Sequence, residues 1–170
     1  MSGEYLKNNN EFKILSNILK KNLKKNSIDS IINKLNILKK KYPKDIRVYN
    51  FLASFHNKKN NYHQAIKICK EGIHLLPESS NTHYIMAESF FMLNMIEEAI
   101  ANYNKSIKCN NNHYLSYYAL GNIMWSQLKI EEAVFNYRKA VNIKPSFIKA
   151  QNKLKNAKKE RQNLIHYLTY

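Results

Sequence analysis

The chain has 170 residues, enough for one domain, and a formal net charge of +16 from 28 Lys and Arg against 12 Asp and Glu. Only three Gly and three Pro occur, which leaves no room for phosphate-cradling loops and excludes P-loop and dinucleotide-binding folds. The charge is uneven: residues 1–45 hold eleven Lys against four acids (+7), 46–77 five basic residues against one acid (+4), 78–145 six against six, and 146–170 six against one (+5).

Basic ends of this kind read first as a solvated Lys-rich surface and second as a footprint for nucleic acid, another polyanion or an anionic membrane. Against nucleic acid stand the absence of a binding motif and the small number of Arg, only Arg47, Arg138 and Arg161, since Arg is the residue suited to bidentate recognition. The abundance of Asn, as in Asn8-Asn9-Asn10 and Asn110-Asn111-Asn112, reads as the codon bias of an AT-rich genome.

Taken in order, residues 1–10 are polar and expected to fray. Residues 11–44 predict a helical hairpin. Phe12, Leu15, Leu19 and Leu23 recur at helical spacing from Glu11; Asn26-Ser27 makes a break and N-cap, and Ile28, Ile31, Ile32, Leu35 and Leu38 form one stripe before Pro43. A second hairpin begins near Asp45, with Tyr49, Leu52, Ala53 and His56 on its first helix. Asn60-Asn61 turns the chain, and Ala65, Ile66, Cys69, Gly72 and Ile73 follow on the return helix, which Pro77 stops. Ser79-Ser80 then offer cap oxygens to a helix carrying His83, Met86, Ala87 and Phe90; Asn94 makes the turn, and Ala99, Ile100, Tyr103 and Ile107 lie on the return. The third hairpin, 114–147, repeats the pattern with Tyr117, Leu120, Gly121, Met124, Ala133, Tyr137, Ala140 and Pro145. A final helix from about Ser146 has an apolar stripe of Phe147, Ala150, Leu154, Ala157, Leu164, Ile165 and Leu168 among many Lys. It exceeds what a cap requires, and residues 161–170 are a candidate docking surface for another chain, including a second copy through 148–170.

The hairpins share a period. Ala65, Ala99 and Ala133 stand 34 residues apart, as do Pro43 and Pro77, and Leu52-Ala53, Met86-Ala87 and Leu120-Gly121 superpose in that frame. Cys69, Tyr103 and Tyr137 coincide, and so do the small residues Gly72, Ser106 and Ala140. With its aromatic, Leu-Gly pair, spaced Ala, aromatic and Pro, the segment 114–147 resembles a tetratricopeptide (TPR) repeat, whose length is 34 residues; Tyr117 stands where the family often has Trp, and Met124 where it has Tyr. The resemblance implies an all-α solenoid of antiparallel helix pairs in a right-handed superhelix. Three repeats, at about 46–79, 80–113 and 114–147, follow a degenerate hairpin at 11–44. There bulky Ile31 and Leu38 replace small residues, which predicts a wider or shifted helix pair. Residues 148–170 form a basic amphipathic capping helix.

Catalytic, metal and cofactor chemistry are not expected. Six His form no zinc spacing, no Ser lies in a nucleophile elbow, and Glu97-Glu98 and Glu131-Glu132 read as charges favoured in the first turn of a helix. His56 and His83 fall on the seam and read as hydrogen-bonded core histidines. Cys69 and Cys109 align with apolar or aromatic residues and read as small buried hydrophobes, which suits a reducing compartment. The first residues carry no signal or myristoylation pattern, the last no prenylation motif, and no run approaches a membrane span. The expectation is a cytosolic or nuclear protein.

If the resemblance holds, the first helix of each repeat lines a concave groove for an extended peptide or a partner helix. The positions implied are Arg47, Asn50 and Ser54 in one repeat and Asn81, Tyr84, Glu88 and Phe91 in the next. Leu115, Tyr118, Asn122 and Trp125 follow in the third, with Lys149 and Lys153 on the last helix. Trp125, the single Trp, either anchors a ligand or packs under the helix turn. The carboxylate clamp that some family members use on chaperone C-termini is not expected: Lys149 and Lys153 match its last pair, but Tyr84 and Glu88 stand at its start and Ala119 at its middle Asn. A double substitution, Tyr118→Ala with Asn122→Ala, is expected to abolish capture and leave thermal stability nearly unchanged.

Overall fold

The computed structural model describes residues 27–169, which form α1 (Ile28–Lys41), α2 (Ile46–Lys58), α3 (Tyr62–Leu75), α4 (Ser80–Met92), α5 (Ile96–Cys109), α6 (Tyr114–Ser126), α7 (Ile130–Ile143) and α8 (Ile148–Thr169). The polar start and the helix expected from Glu11 lie outside the described residues, and with them the spacing of the first hairpin. Helices pair as α2/α3, α4/α5 and α6/α7; each pair stacks on the next, α1 packs on α2, and α8 packs on α7. The chain is an all-α solenoid.

The first helix of each pair starts from a capped loop. The side chains of Asp45, Ser79 and His113 accept from the backbone N–H groups of Arg47, Thr82 and Ser116, and Ser27 does the same for α1. The return helices α3, α5 and α7 have no side-chain cap, because each begins directly after the same tight turn. Asn61 N–H donates to His56 C=O and Asn60 N–H to Asn57 C=O. The pattern recurs with Met95 on Phe90 and Asn94 on Phe91, and again with Lys129 on Met124 and Leu128 on Trp125. These paired bonds close a helix around one left-handed residue, here Asn60 (φ 61°), Asn94 (φ 59°) and Leu128 (φ 59°).

Large residues meet small ones along the seam. Leu52, Ala53, Met86, Ala87, Leu120 and Gly121 are buried, as are Cys69, Tyr103 and Tyr137 opposite them. At Gly121 the approach is so close that a Cβ would stand 2.6 Å from the Tyr137 ring. Burial pushes the Cys69 thiol up to about 12, whereas Cys109, in the last turn of α5, is half-buried rather than buried. A second device repeats between hairpins: the Tyr49 hydroxyl donates to the Pro43 carbonyl (2.8 Å), His83 Nε2 bonds the Pro77 carbonyl (2.8 Å), and Gln151 Nε2 donates to the Pro145 carbonyl (2.5 Å). It fixes the first turn of one helix to the loop that ends the previous repeat.

Ala150 and Ala157 of α8 are fully buried and Leu154 partly buried against α7. Arg161 reaches Glu131 at 3.7 Å, beside the start of α7. Past this point Leu164, Ile165 and Tyr167 are exposed. Lys155 is exposed at the position held by Ala53, Ala87 and Gly121, a long charged side chain where the three hairpins have small residues.

Candidate functional site: the concave groove

The first helices α2, α4 and α6 stand side by side, and a cavity of about 310 Å³ opens across them. Its lining includes Arg47, Asn50, Ser54, Asn81, Tyr84 and Leu115 from the expected set, together with Phe51, Ile85 and His113. Phe51 and Ile85 are 34 residues apart, each one step beyond an expected position. A helical side chain leans toward the N-terminus over the preceding turn, which brings this neighbouring row into the wall.

Most polar groups of the groove are already engaged. The Arg47 guanidinium donates to both Asp45 oxygens, Nε–Oδ1 at 2.9 Å and Nη2–Oδ2 at 2.7 Å. Thr82, fully buried, donates its hydroxyl hydrogen to Asn50 Oδ1 (2.6 Å). His113 caps α6 through Nδ1, and its Nε2 faces Asn81 Oδ1 at 3.1 Å, an arrangement that suits the neutral ring with the proton on Nε2. Burial holds His113 below its ordinary pKa. Tyr84 lies against Tyr103 (5.8 Å between ring centres) and His113 (5.0 Å), and its hydroxyl donates to Glu88 Oε1 at 2.6 Å. Burial raises the Glu88 carboxyl, the Tyr84 bond acting in the opposite direction.

The expected residues outside the cavity have other surroundings. Phe91 is 40% exposed. Tyr118 packs on Tyr137 and on Phe147, 6.0 and 4.9 Å between ring centres, while Asn122 Oδ1 accepts from the Tyr137 hydroxyl at 2.9 Å. Both therefore pack within the third repeat, and their replacement is expected to lower its stability as well as to alter the groove. Trp125 is partly buried against the Ile130, Ala133, Val134 and Tyr137 cluster. Lys149 and Lys153 are exposed on α8. Among the described residues no group of His, Cys, Asp and Glu is placed to hold a metal ion, and no helix is long and apolar enough to cross a membrane.

Stacked helix pairs of 34-residue period, enclosing a groove on their first helices, define a helical-repeat interaction scaffold. The chain is a tetratricopeptide repeat protein. Residues 114–147 match the tetratricopeptide repeat family, and residues 29–106 match the family described as anaphase-promoting complex, cyclosome, subunit 3. No curated protein sequence matches the chain. Among solved structures it is similar to MamA, at 25% identity over 84% of this chain and 83% of that one with a TM-score of 0.69. The first TPR of Spaghetti (RPAP3) bound to the HSP90 peptide SRMEEVD is similar at 20% identity over 69% and 93%, TM-score 0.63. An Arabidopsis OM64 TPR domain follows at 19% over 68% and 95%, TM-score 0.63.

Proposed function

We propose that the chain is a non-enzymatic adaptor or assembly subunit of the cytosol or nucleus, holding an extended peptide or a partner helix in its concave groove without a cofactor. The observation that carries this is the cavity shared by three successive repeats, whose lining includes the apolar Phe51, Ile85 and Leu115 beside Tyr84. Grooves of this kind give anchoring through apolar pockets and register through a few polar groups. The acidic ligand of the RPAP3 structure is disfavoured, because Glu88 presents a carboxylate at a position where the clamp uses Asn.

The test is capture from the source cell's lysate at low and high salt, with Ser54→Trp alongside to fill the cavity; Ser54 lines it. A defined protein retained at high salt and lost with Ser54→Trp supports the groove. Retention of nucleic acid alone, released by salt, transfers the function to the Lys-rich ends, Lys20, Lys21, Lys24 and Lys25 with the lysines of the last helix, since polyanion binding falls steeply with ionic strength. Self-association is a separate reading, favoured by exposed Leu164, Ile165 and Tyr167; it requires a dimer that truncation after Lys159 converts to monomer.

A further inference from the structure

The charge of the central groove is opposite to that of the chain. Across α4 and α6, the two middle helices of the concave face, the 13-residue segments SNTHYIMAESFFM and YLSYYALGNIMWS contain no Lys or Arg and one formal charge, Glu88. This stands in a protein with 28 Lys and Arg. Glu88 is partly buried, makes no ion pair among the described residues, and has one oxygen bonded to the Tyr84 hydroxyl. Desolvating a carboxylate without a cation is unfavourable, and burial raises its pKa accordingly. The groove cation of the preceding repeat, Arg47, is ion-paired with Asp45. Phe91, on the same face one turn beyond Glu88 and 40% exposed, offers an apolar surface for the stem of a long basic side chain.

We infer that the groove selects peptides carrying a Lys or Arg that pairs with Glu88, an inference that rests on the groove reading above. The peptide's cation supplies the missing partner of a partly buried carboxylate, and acidic segments are rejected by the same charge.

The experiment pans a displayed library of random dodecapeptides against the full chain, then measures synthetic winners by fluorescence anisotropy against wild type, Glu88→Gln and Ser54→Trp, with SRMEEVD as acidic probe. The winners are expected to share a Lys or Arg at fixed spacing from an apolar residue. Glu88→Gln is expected to bind them about tenfold more weakly. Replacing the peptide's cation by norleucine is expected to weaken wild type by the same factor and leave Glu88→Gln unaffected, the signature of a direct pair. Winners without a cation, winners that Glu88→Gln binds equally well, or tight binding of SRMEEVD overturn the inference; the groove reading then survives if Ser54→Trp abolishes their binding. Winners indifferent to Ser54→Trp overturn both.

Discussion

Leu128 occupies a backbone region that suits glycine or asparagine. Its φ of 59° and 83% exposure combine left-handed strain with an apolar surface, while the equivalent turns use Asn60 and Asn94. A left-handed L-residue costs roughly 1 kcal/mol or more, and Asn lowers that cost by bonding locally. Leu128→Asn is expected to raise the thermal midpoint by about 2–4 °C, measured by calorimetry; an unchanged or lower midpoint contradicts it. Gly121 behaves in the opposite sense. A glycine inside a helix is unfavourable by about 0.5–1 kcal/mol relative to Ala, yet a methyl there meets the Tyr137 ring at 2.6 Å. Gly121→Ala is expected to destabilise by about 1–3 kcal/mol, and denaturant unfolding tests it. The Leu-Gly pair announces close approach by its place in the period; Leu128 stands in the same frame as the turn residues Asn60 and Asn94, but its residue type carries no left-handed signal.

At the scale of one helix, α6 depends on an unusual cap. His113 accepts from Ser116 N–H only while Nδ1 is unprotonated, and the groups around the ring are Tyr84, Asn81 and the Ser116 hydroxyl, with Glu88 beyond Tyr84. Its folded pKa is depressed below 6.5 by burial. The neutral cap's stability is therefore present above about pH 6.5 and lost as the pH falls through the folded-state value. His56, depressed by burial and Lys59, acts in the same direction. Thermal midpoints at about pH 7.5 and 5.5 are expected to fall further in wild type than in His113→Asn, which caps without titrating; equal losses contradict the assignment. Helix order and pairing were legible because large and small residues alternate at one fixed period. The cap was not, since His is no standard capping residue. Nor were the inward bonds of Asn122, which depend on how far the Tyr137 hydroxyl reaches from the neighbouring helix.

Across the whole molecule, each repeat touches mainly its neighbours, so stability is the sum of local junctions. The junction of α5 with α6 is joined by hydroxyls: the Ser106 and Ser116 oxygens lie 2.9 Å apart, and Ser80 joins Ser106 at 3.0 Å. Ser106 and Ser116 are fully buried. Ser106→Ala, sterically matched to Ala140 at the same repeat position, removes the Ser106 hydroxyl from between its neighbours, while Ser80 keeps the Ser106 carbonyl and Ser116 keeps His113 Nδ1, and is expected to cost about 0.5–1.5 kcal/mol. Hydrogen exchange is expected to quicken in 114–126 and to remain unchanged in 46–75; uniform acceleration would contradict a junction-specific effect.

That hydroxyl junction has a mechanical meaning. The junction lies beneath a cavity whose walls are divided between the helices on either side of it, His113 and Leu115 beyond the junction and Arg47, Asn50 and Tyr84 before it. A ligand spanning those walls would bridge the junction like a splint, so the shape of its seat depends on how the second and third repeats sit against each other.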